Sequence, residues 1–475
     1  MPPDPIADPT RRAVLAGLGA TALLAGAGGA AAAREALRQF RLRPAAARVR
    51  LVPTPHPETA VWAYGGTVPG PEIRVRQGER LRVVVENALA EDTTVHWHGL
   101  RVPNAMDGVP HLTQRPIAPG ESFVYEFDAL DAGTFWYHPH QRSAEQVDRG
   151  LSGPLIVDEA EPIAVDRDVT WLLDDWRLLG DASISGDFET MHDIAMAGRI
   201  GNSVTINGTV PESFAVRAGE RVRLRLINAA NARIFGLEFE GHAPLVVALD
   251  GHPVEPHAPE GGRIVLGPAM RADLVLDMTG APGQRFRVVD GFYPRGAYRL
   301  IDLAYADTPL RAHPPEASIR LPDNPLAEPD LARAERHVVG FAGGMMGMMG
   351  RGMMGGTAAG AGVWTVNGVA ATGHVMAPML TLAQGRTHVL ALANDTAFHH
   401  PIHLHGHSFR VLGRNGVPTR YREWQDTVLM APRERVEIAF VADNPGDWMF
   451  HCHILEHQAG GMMGVIRVAP DATRT

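Results

Sequence analysis

Three times along the chain a glycine opens an alternating polar and apolar run that closes on an asparagine nine residues later. The copies are Gly78 to Asn87 (GERLRVVVEN), Gly219 to Asn228 (GERVRLRLIN) and Gly385 to Asn394 (GRTHVLALAN). Alternation with period two marks a strand with one buried face. A spacing of roughly 140 to 165 residues is too long for a solenoid unit and suits tandem whole domains. Gly 51 and Pro 37 in 475 residues, with turn pairs such as Pro69-Gly70, Pro119-Gly120 and Pro282-Gly283, point to all-β sandwiches or barrels. The expected domains are 42–160, 161–320 and 335–475, the last reached through a Pro- and Ala-bearing stretch at about 307–336.

Ordinary globular composition, 45% hydrophobic and 20% charged, excludes disordered, collagen-like and multi-span membrane classes. The chain has no lysine, so Schiff-base and lysine-nucleophile mechanisms are excluded as well. A net charge of -9 argues against a nucleic-acid partner, because backbone binding needs clustered positive charge. Arg11-Arg12 precedes an Ala- and Gly-rich apolar run ending near residue 33. Residues 1–33 therefore read as a twin-arginine-type signal, which would make the Tat export machinery a partner and the periplasm the destination. The competing reading is an uncleaved anchor; no stable membrane insertion is expected after cleavage.

The repeated runs allow histidines to be compared in register. Nine and eleven residues after the asparagine stand His96 and His98 in the first copy and His403 and His405 in the third, but Leu237 and Phe239 in the second. Five and seven residues after a later glycine stand His138 and His140, then His451 and His453, with Val288 and Asp290 between them in order. Residues i and i+2 of a strand share a face, so each His-x-His sets two imidazoles side by side. Packing the first and third domains face to face could merge eight imidazoles into one cluster suited to copper, zinc, nickel or iron. Any single His-x-His is more simply chance or a satisfied core pair; four in register are not.

Cys 1 means that no intrachain disulfide can form. That residue, Cys452, lies between His451 and His453, with His457 five residues on and Met462 five further. A thiolate, two imidazoles and a weak thioether are the ligands of a blue-copper site. His457 supplies one imidazole, and His400, just before the His403/His405 pair, is placed to supply the other. Because both neighbours of Cys452 belong to the histidine cluster, adjacent side chains join the two sites by a short covalent route.

HWHG at His96, HPH at His138, HPIHLHGHSF at His400 and HCHILEHQAGGM at His451 together resemble the four copper motifs of the multicopper oxidases, the group of laccases, bilirubin oxidases and bacterial cuprous oxidases. The resemblance covers essentially the whole chain after residue 33 and implies three tandem cupredoxin-like Greek-key β-sandwich domains. It implies four copper ions: a type 1 ion held by His400, Cys452, His457 and axial Met462; a type 2 ion held by His96 and His403; and two type 3 ions, one on His98, His138 and His453, the other on His140, His405 and His451. It further implies dioxygen as a partner, reduced to water with electrons taken at the type 1 site.

Asp107, in NAMDG, matches the family's acidic residue near the cluster and is the candidate proton donor; the plainer reading is a turn-forming Asp before Gly108. Many bacterial relatives carry Glu directly after the His equivalent to His457, where this chain has Gln458, and Glu456 is the nearest other acid. Met345, Met346, Met348, Met349, Met353 and Met354 crowd GGMMGMMGRGMMGG. Soft thioethers select Cu(I), so the segment reads as a collector for cuprous ions. Thr396-Ala397-Phe398 stands where cuprous oxidases tend to carry Asp and Met, which keeps open oxidation of phenols or aromatic amines at an exposed His457 edge. The rival from another class is a non-enzymatic periplasmic protein, either copper-sequestering or a cupredoxin-fold scaffold. A two-domain nitrite reductase is disfavoured by the third domain and the doubled His-x-His pairs.

Overall fold

The three alternating runs each become an inner strand of a sheet, Arg80–Glu86, Arg221–Asn228 and Thr387–Asn394. Each has one parallel and one antiparallel neighbour: Leu37–Leu42 and Ser122–Asp128, Arg167–Trp176 and Arg271–Asp277, Glu335–Gly343 and Arg435–Val441. Gly78, Gly219 and Gly385 turn into these strands at φ of +85°, +80° and +75°, a region that favours glycine. The asparagines end them by a common device. Each side-chain amide donates to two carbonyls, Glu91 and Ile117 for Asn87, Arg233 and Leu266 for Asn228, Phe398 and Ala431 for Asn394. Each side-chain oxygen accepts the N–H two residues on.

The computed structural model describes residues 37–345, 363–371, 373 and 377–471. The expected leader at 1–33 and five of the clustered methionines, Met346, Met348, Met349, Met353 and Met354, lie outside the described residues. Among those described, three β-sandwiches account for nearly all of the architecture, and no helix is long and apolar enough to cross a membrane.

In the first sandwich a facing sheet runs Ile73–Arg76, Gly153–Asp158, Gly133–His138, His96–His98; in the third it runs Pro378–Ala383, Met463–Ala469, Gly446–Cys452, His400–Leu404, Thr427–Met430. The histidine-bearing strands are therefore neighbours in both sheets, pairing His96 with His138 and His403 with His451. The corresponding pair in the second sandwich is Phe235–Phe239 with Arg285–Asp290, where Leu237 and Val288 fill the apolar core instead. Separate cores fill the three sandwiches, around Val83, Trp97 and Phe127, around Leu224, Leu237 and Leu274, and around Leu390, Phe409 and Cys452.

Alternation alone places the arginines of GERVRLRLIN at the surface, and the structure differs. Arg223 and Arg225 are buried, because the first sandwich packs on that face. Their guanidiniums bond Glu159, Asp168 and Asp273, and Arg225 also reaches Thr134 of the first sandwich. Buried charge is tolerated only when paired in this way.

Candidate metal centre

The first and third sandwiches meet along their histidine strands. His98 stacks on His403 with ring centroids 3.8 Å apart, and His96 on His405 at 3.9 Å. His138 Nε2 lies 3.4 Å from His453 Nε2, and His405 Nε2 lies 3.1 Å from His451 Nε2. Donor atoms fall within 4.8 Å of one another in the sets His98, His138, His453 and His140, His405, His451, and in His96, His98, His403. All eight imidazoles expected from the sequence thus converge on one buried chamber.

Outer hydrogen bonds orient the rings. His96, His403, His138 and His451 give Nδ1–H to the carbonyls of Asp107, Asp426, Pro139 and Cys452. His405 Nδ1 meets the Asp107 carboxylate at 2.9 Å. His98 is turned the other way round: its Nε2 faces Asp426 Oδ1 at 3.0 Å and Thr427 Oγ1 at 3.1 Å. What remains points inward. Nε2 of His96, His140 and His403 and Nδ1 of His98 are buried with no hydrogen-bond partner among the described residues, while His453 meets His138 through Nε2. Such orphaned donors are costly unless something binds them, and ring anchoring of this kind is what metal-ligating histidines need. Burial holds His98, His138, His140, His405, His451 and His453 well below the usual imidazole range and lowers His403, so the lone pairs stay free of protons.

The second set lies in the core of the third sandwich. Cys452 Sγ is 3.4 Å from His400 Nδ1 and 3.7 Å from His457 Nδ1, and the two nitrogens are 3.1 Å apart. Donors about 2.0 to 2.3 Å from one ion stand roughly 3 to 4 Å from each other, so this triangle has the size of a metal site. Met462 is buried in the same core, its carbonyl bonded to Cys452 N–H and its own N–H to the His457 carbonyl. Burial pushes the Cys452 thiol up, so an ion must displace its proton on binding.

Family models described as multicopper oxidase match residues 46–162, 167–297 and 351–472. The multicopper oxidase MmcO of Mycobacterium tuberculosis is 32% identical over 444 residues, covering 86% of this chain and 82% of its own. The chain belongs to the multicopper oxidases. Among solved structures, a multi-copper oxidase from Pseudomonas thermotolerans is 38% identical with a TM-score of 0.82, over 92% of this chain and 100% of that one. A Campylobacter jejuni multicopper oxidase described as a metallo-oxidase is 27% identical with a TM-score of 0.77, over 91% of both chains. Membership makes this multicopper oxidase a copper-dependent oxidoreductase, and the donor sets above suit that metal.

The structure also places residues that the motifs did not single out. Asp426, next to Thr427, spans the two sandwiches: its carbonyl accepts from His403 and its carboxylate from His98. Arg271 of the second sandwich grips that carboxylate with two bonds, at 2.8 and 2.6 Å, while Asp250 Oδ2 accepts the Thr427 N–H. Burial alone would raise Asp426, but the Arg271 charge and the two histidines hold it well below the carboxylate range, while burial and the Asp426 charge push Asp250 up. Asp107 is the counterpart of Asp426. It is fully buried, with its carbonyl on His96 and its carboxylate on His405. Gly108 after it has φ +82°, and a Cβ there would lie 1.9 Å from the Val95 carbonyl oxygen. Glu456 turns away from the chamber, accepting from Arg199 N–H and the Asn231 amide, and burial raises it to about 7. Gln458 Oε1 stands 3.5 Å from Ser143 Oγ.

His457 has no solvent edge. Its ring is fully buried, Trp364 covers it at 4.3 Å, and its Nε2 donates to the Met196 carbonyl at 2.8 Å. The exposed edge expected for docking of phenols is filled by residues 190–200 of the second sandwich, including the helix Met191–Ala195. His399 lies with its ring against Phe292, 5.4 Å between centroids.

Proposed function

We propose that the chain is an exported oxidase that takes electrons from Cu(I) and passes them to dioxygen through four copper ions. His400, Cys452, His457 and Met462 would hold the type 1 ion, His96 and His403 the type 2 ion, and His98, His138, His453 and His140, His405, His451 the type 3 pair. Copper at these positions supplies one-electron oxidation of substrate and four-electron reduction of dioxygen to water. The protein contributes geometry, exclusion of water and protons. Anchored rings fix the donors, and both sites are buried, so the reaction is shielded from solvent. Asp107 is assigned to proton delivery on the strength of its buried carboxylate against His405 and His96. Gln458 has no carboxylic proton to give, and Glu456 faces the second sandwich. Export by the twin-arginine route rests on residues 10–33 of the sequence.

The observation that carries the choice of Cu(I) is the covered His457. A bulky phenol has no edge to meet, whereas Met345, the first of the clustered methionines, follows directly on a glycine beside the cover. Gly344 and Met345 leave the strand Glu335–Gly343 next to the ring of Trp364, the residue that covers His457. One feature favours aromatic reductants as a second reading: a pocket of about 590 Å³ lined by Ile200, Asn202, Arg233, Tyr293 and Tyr298 at the end of the covering segment. Oxygen uptake with Cu(I) and with a phenol, before and after replacing Met345, Met346, Met348, Met349, Met353 and Met354 by Ser, separates the readings. A fall confined to the Cu(I) rate is expected. A Cu(I) rate unchanged by the replacements, beside faster turnover of the phenol, would favour the aromatic reading, and copper binding without oxygen uptake would leave a sequestering protein.

A further inference from the structure

In the third sandwich the strands Glu335–Gly343 and Thr387–Asn394 run parallel, with Glu335 opposite His388 and His337 opposite Leu390. One face of this pair is core: Val339, Phe341, Leu390 and Leu392 are all buried there. Strand alternation puts Glu335, His337 and His388 on that same face. Two imidazoles thus occupy positions where the pattern calls for apolar side chains, at the rim of an otherwise hydrophobic core. His388 is fully buried, His337 half-buried and Glu335 exposed.

Their polar atoms converge. His337 Nε2 lies 3.2 Å from His388 Nδ1, and Glu335 Oε2 lies 3.8 Å from the same nitrogen. His388 Nε2 faces the Ala383 carbonyl at 3.4 Å, which leaves Nδ1 as the lone-pair atom. Burial lowers His388, so it stays neutral with that lone pair available. Two nitrogens each about 2.05 Å from one ion stand about 2.9 Å apart at a tetragonal angle and about 3.3 Å apart at a tetrahedral one, limits that bracket the spacing seen. None of the three side chains bonds to a ligand of either copper site.

We infer that Glu335, His337 and His388 form a separate divalent-metal site that takes Cu(II). Two imidazoles and a carboxylate suit borderline divalent ions, and among these the affinity order places Cu(II) first. An open rim lets the ion enter from solvent, and the carboxylate swings from the exposed side to complete the set. The site stands apart from the oxidase reaction, so loss of one leaves the other intact.

The test uses copper-replete full-length enzyme titrated with Cu(II) in the presence of a weak competing chelator, followed by calorimetry and electron paramagnetic resonance. Wild type is expected to bind one further ion with nitrogen hyperfine structure. His337→Val/His388→Leu, which continues the apolar pattern, should lose that ion, and Glu335→Gln should weaken it about tenfold while oxygen uptake stays unchanged. Should the double variant fail to fold, His337→Ala alone must still lower the affinity by at least about tenfold. Equal uptake of the extra ion by wild type, Glu335→Gln and His337→Ala, or no extra ion in wild type, would overturn the assignment.

Discussion

Asp426 is buried between two imidazoles, and its negative charge is stable there only because Arg271 meets it with two hydrogen bonds. The glycine of HWHG belongs to the same contact. A Cβ on Gly99 would lie 2.4 Å from Arg271 Nη2 and 2.5 Å from Asp426 Oδ2, so the motif's glycine keeps the space that the ion pair fills. Arg271→Met leaves Asp426 and Asp250 facing each other without a cation. It should lower stability by about 3 to 5 kcal/mol and reduce copper retained at His98 and His403, as read by denaturant midpoint and metal analysis; unchanged values in both would refute the role. The converging histidines themselves were legible in the sequence, because each carries its own chemistry and the His-x-His pairs keep a spacing repeated in two copies. Asp426 and Arg271 were not: they lie 155 residues apart in different sandwiches, and each alone reads as an ordinary surface charge on a strand.

At the scale of elements, residues 190–200 act as a cover over His457. Thr190 caps the helix Met191–Ala195, the Trp364 indole donates to the Ile194 carbonyl, and Glu456 accepts the Arg199 N–H. The Arg199 side chain ties the end down through Asp148 of the first sandwich and Asp187. Arg199→Ala should loosen the cover and raise kcat/KM for a bulky phenol relative to Cu(I) by about tenfold, equivalent to about 1.4 kcal/mol. Steady-state oxygen uptake with both substrates measures the ratio, and an unchanged ratio would show that the cover does not set specificity. Nothing local announced this element. Its sequence, TMHDIAMAGRI, reads as a short amphipathic turn, and its role comes only from packing against a domain that begins more than a hundred residues later.

Across the whole molecule, the second sandwich adds none of the eight converging imidazoles yet buttresses their chamber through Arg271 and Asp250 and covers His457. Its existence was legible, since the alternating run occurs there as in the other two; its contacts were not, because period-two alternation assigns Arg223 and Arg225 to solvent. His252 marks the junction with the third sandwich, with Nε2–H donating to Ser408 and Nδ1 accepting from Asn324. Burial lowers it to about 4. Since the folded value lies below the unfolded one near 6.5, its contribution is fully present above about pH 6.5 and is lost as pH falls toward 4, a swing of about 3 kcal/mol. Urea midpoints of wild type and His252→Gln should therefore converge as pH drops from 7 to 4.5; a constant gap would contradict the burial of a neutral ring. The most direct test of the whole reading lies at the single thiol. Copper content, visible absorption and oxygen uptake should be measured together on wild type and Cys452→Ser. The expected outcome is a blue, active wild type and a folded variant that keeps the copper of the histidine chamber but loses the blue band and turnover. A variant that remains blue and active would contradict it.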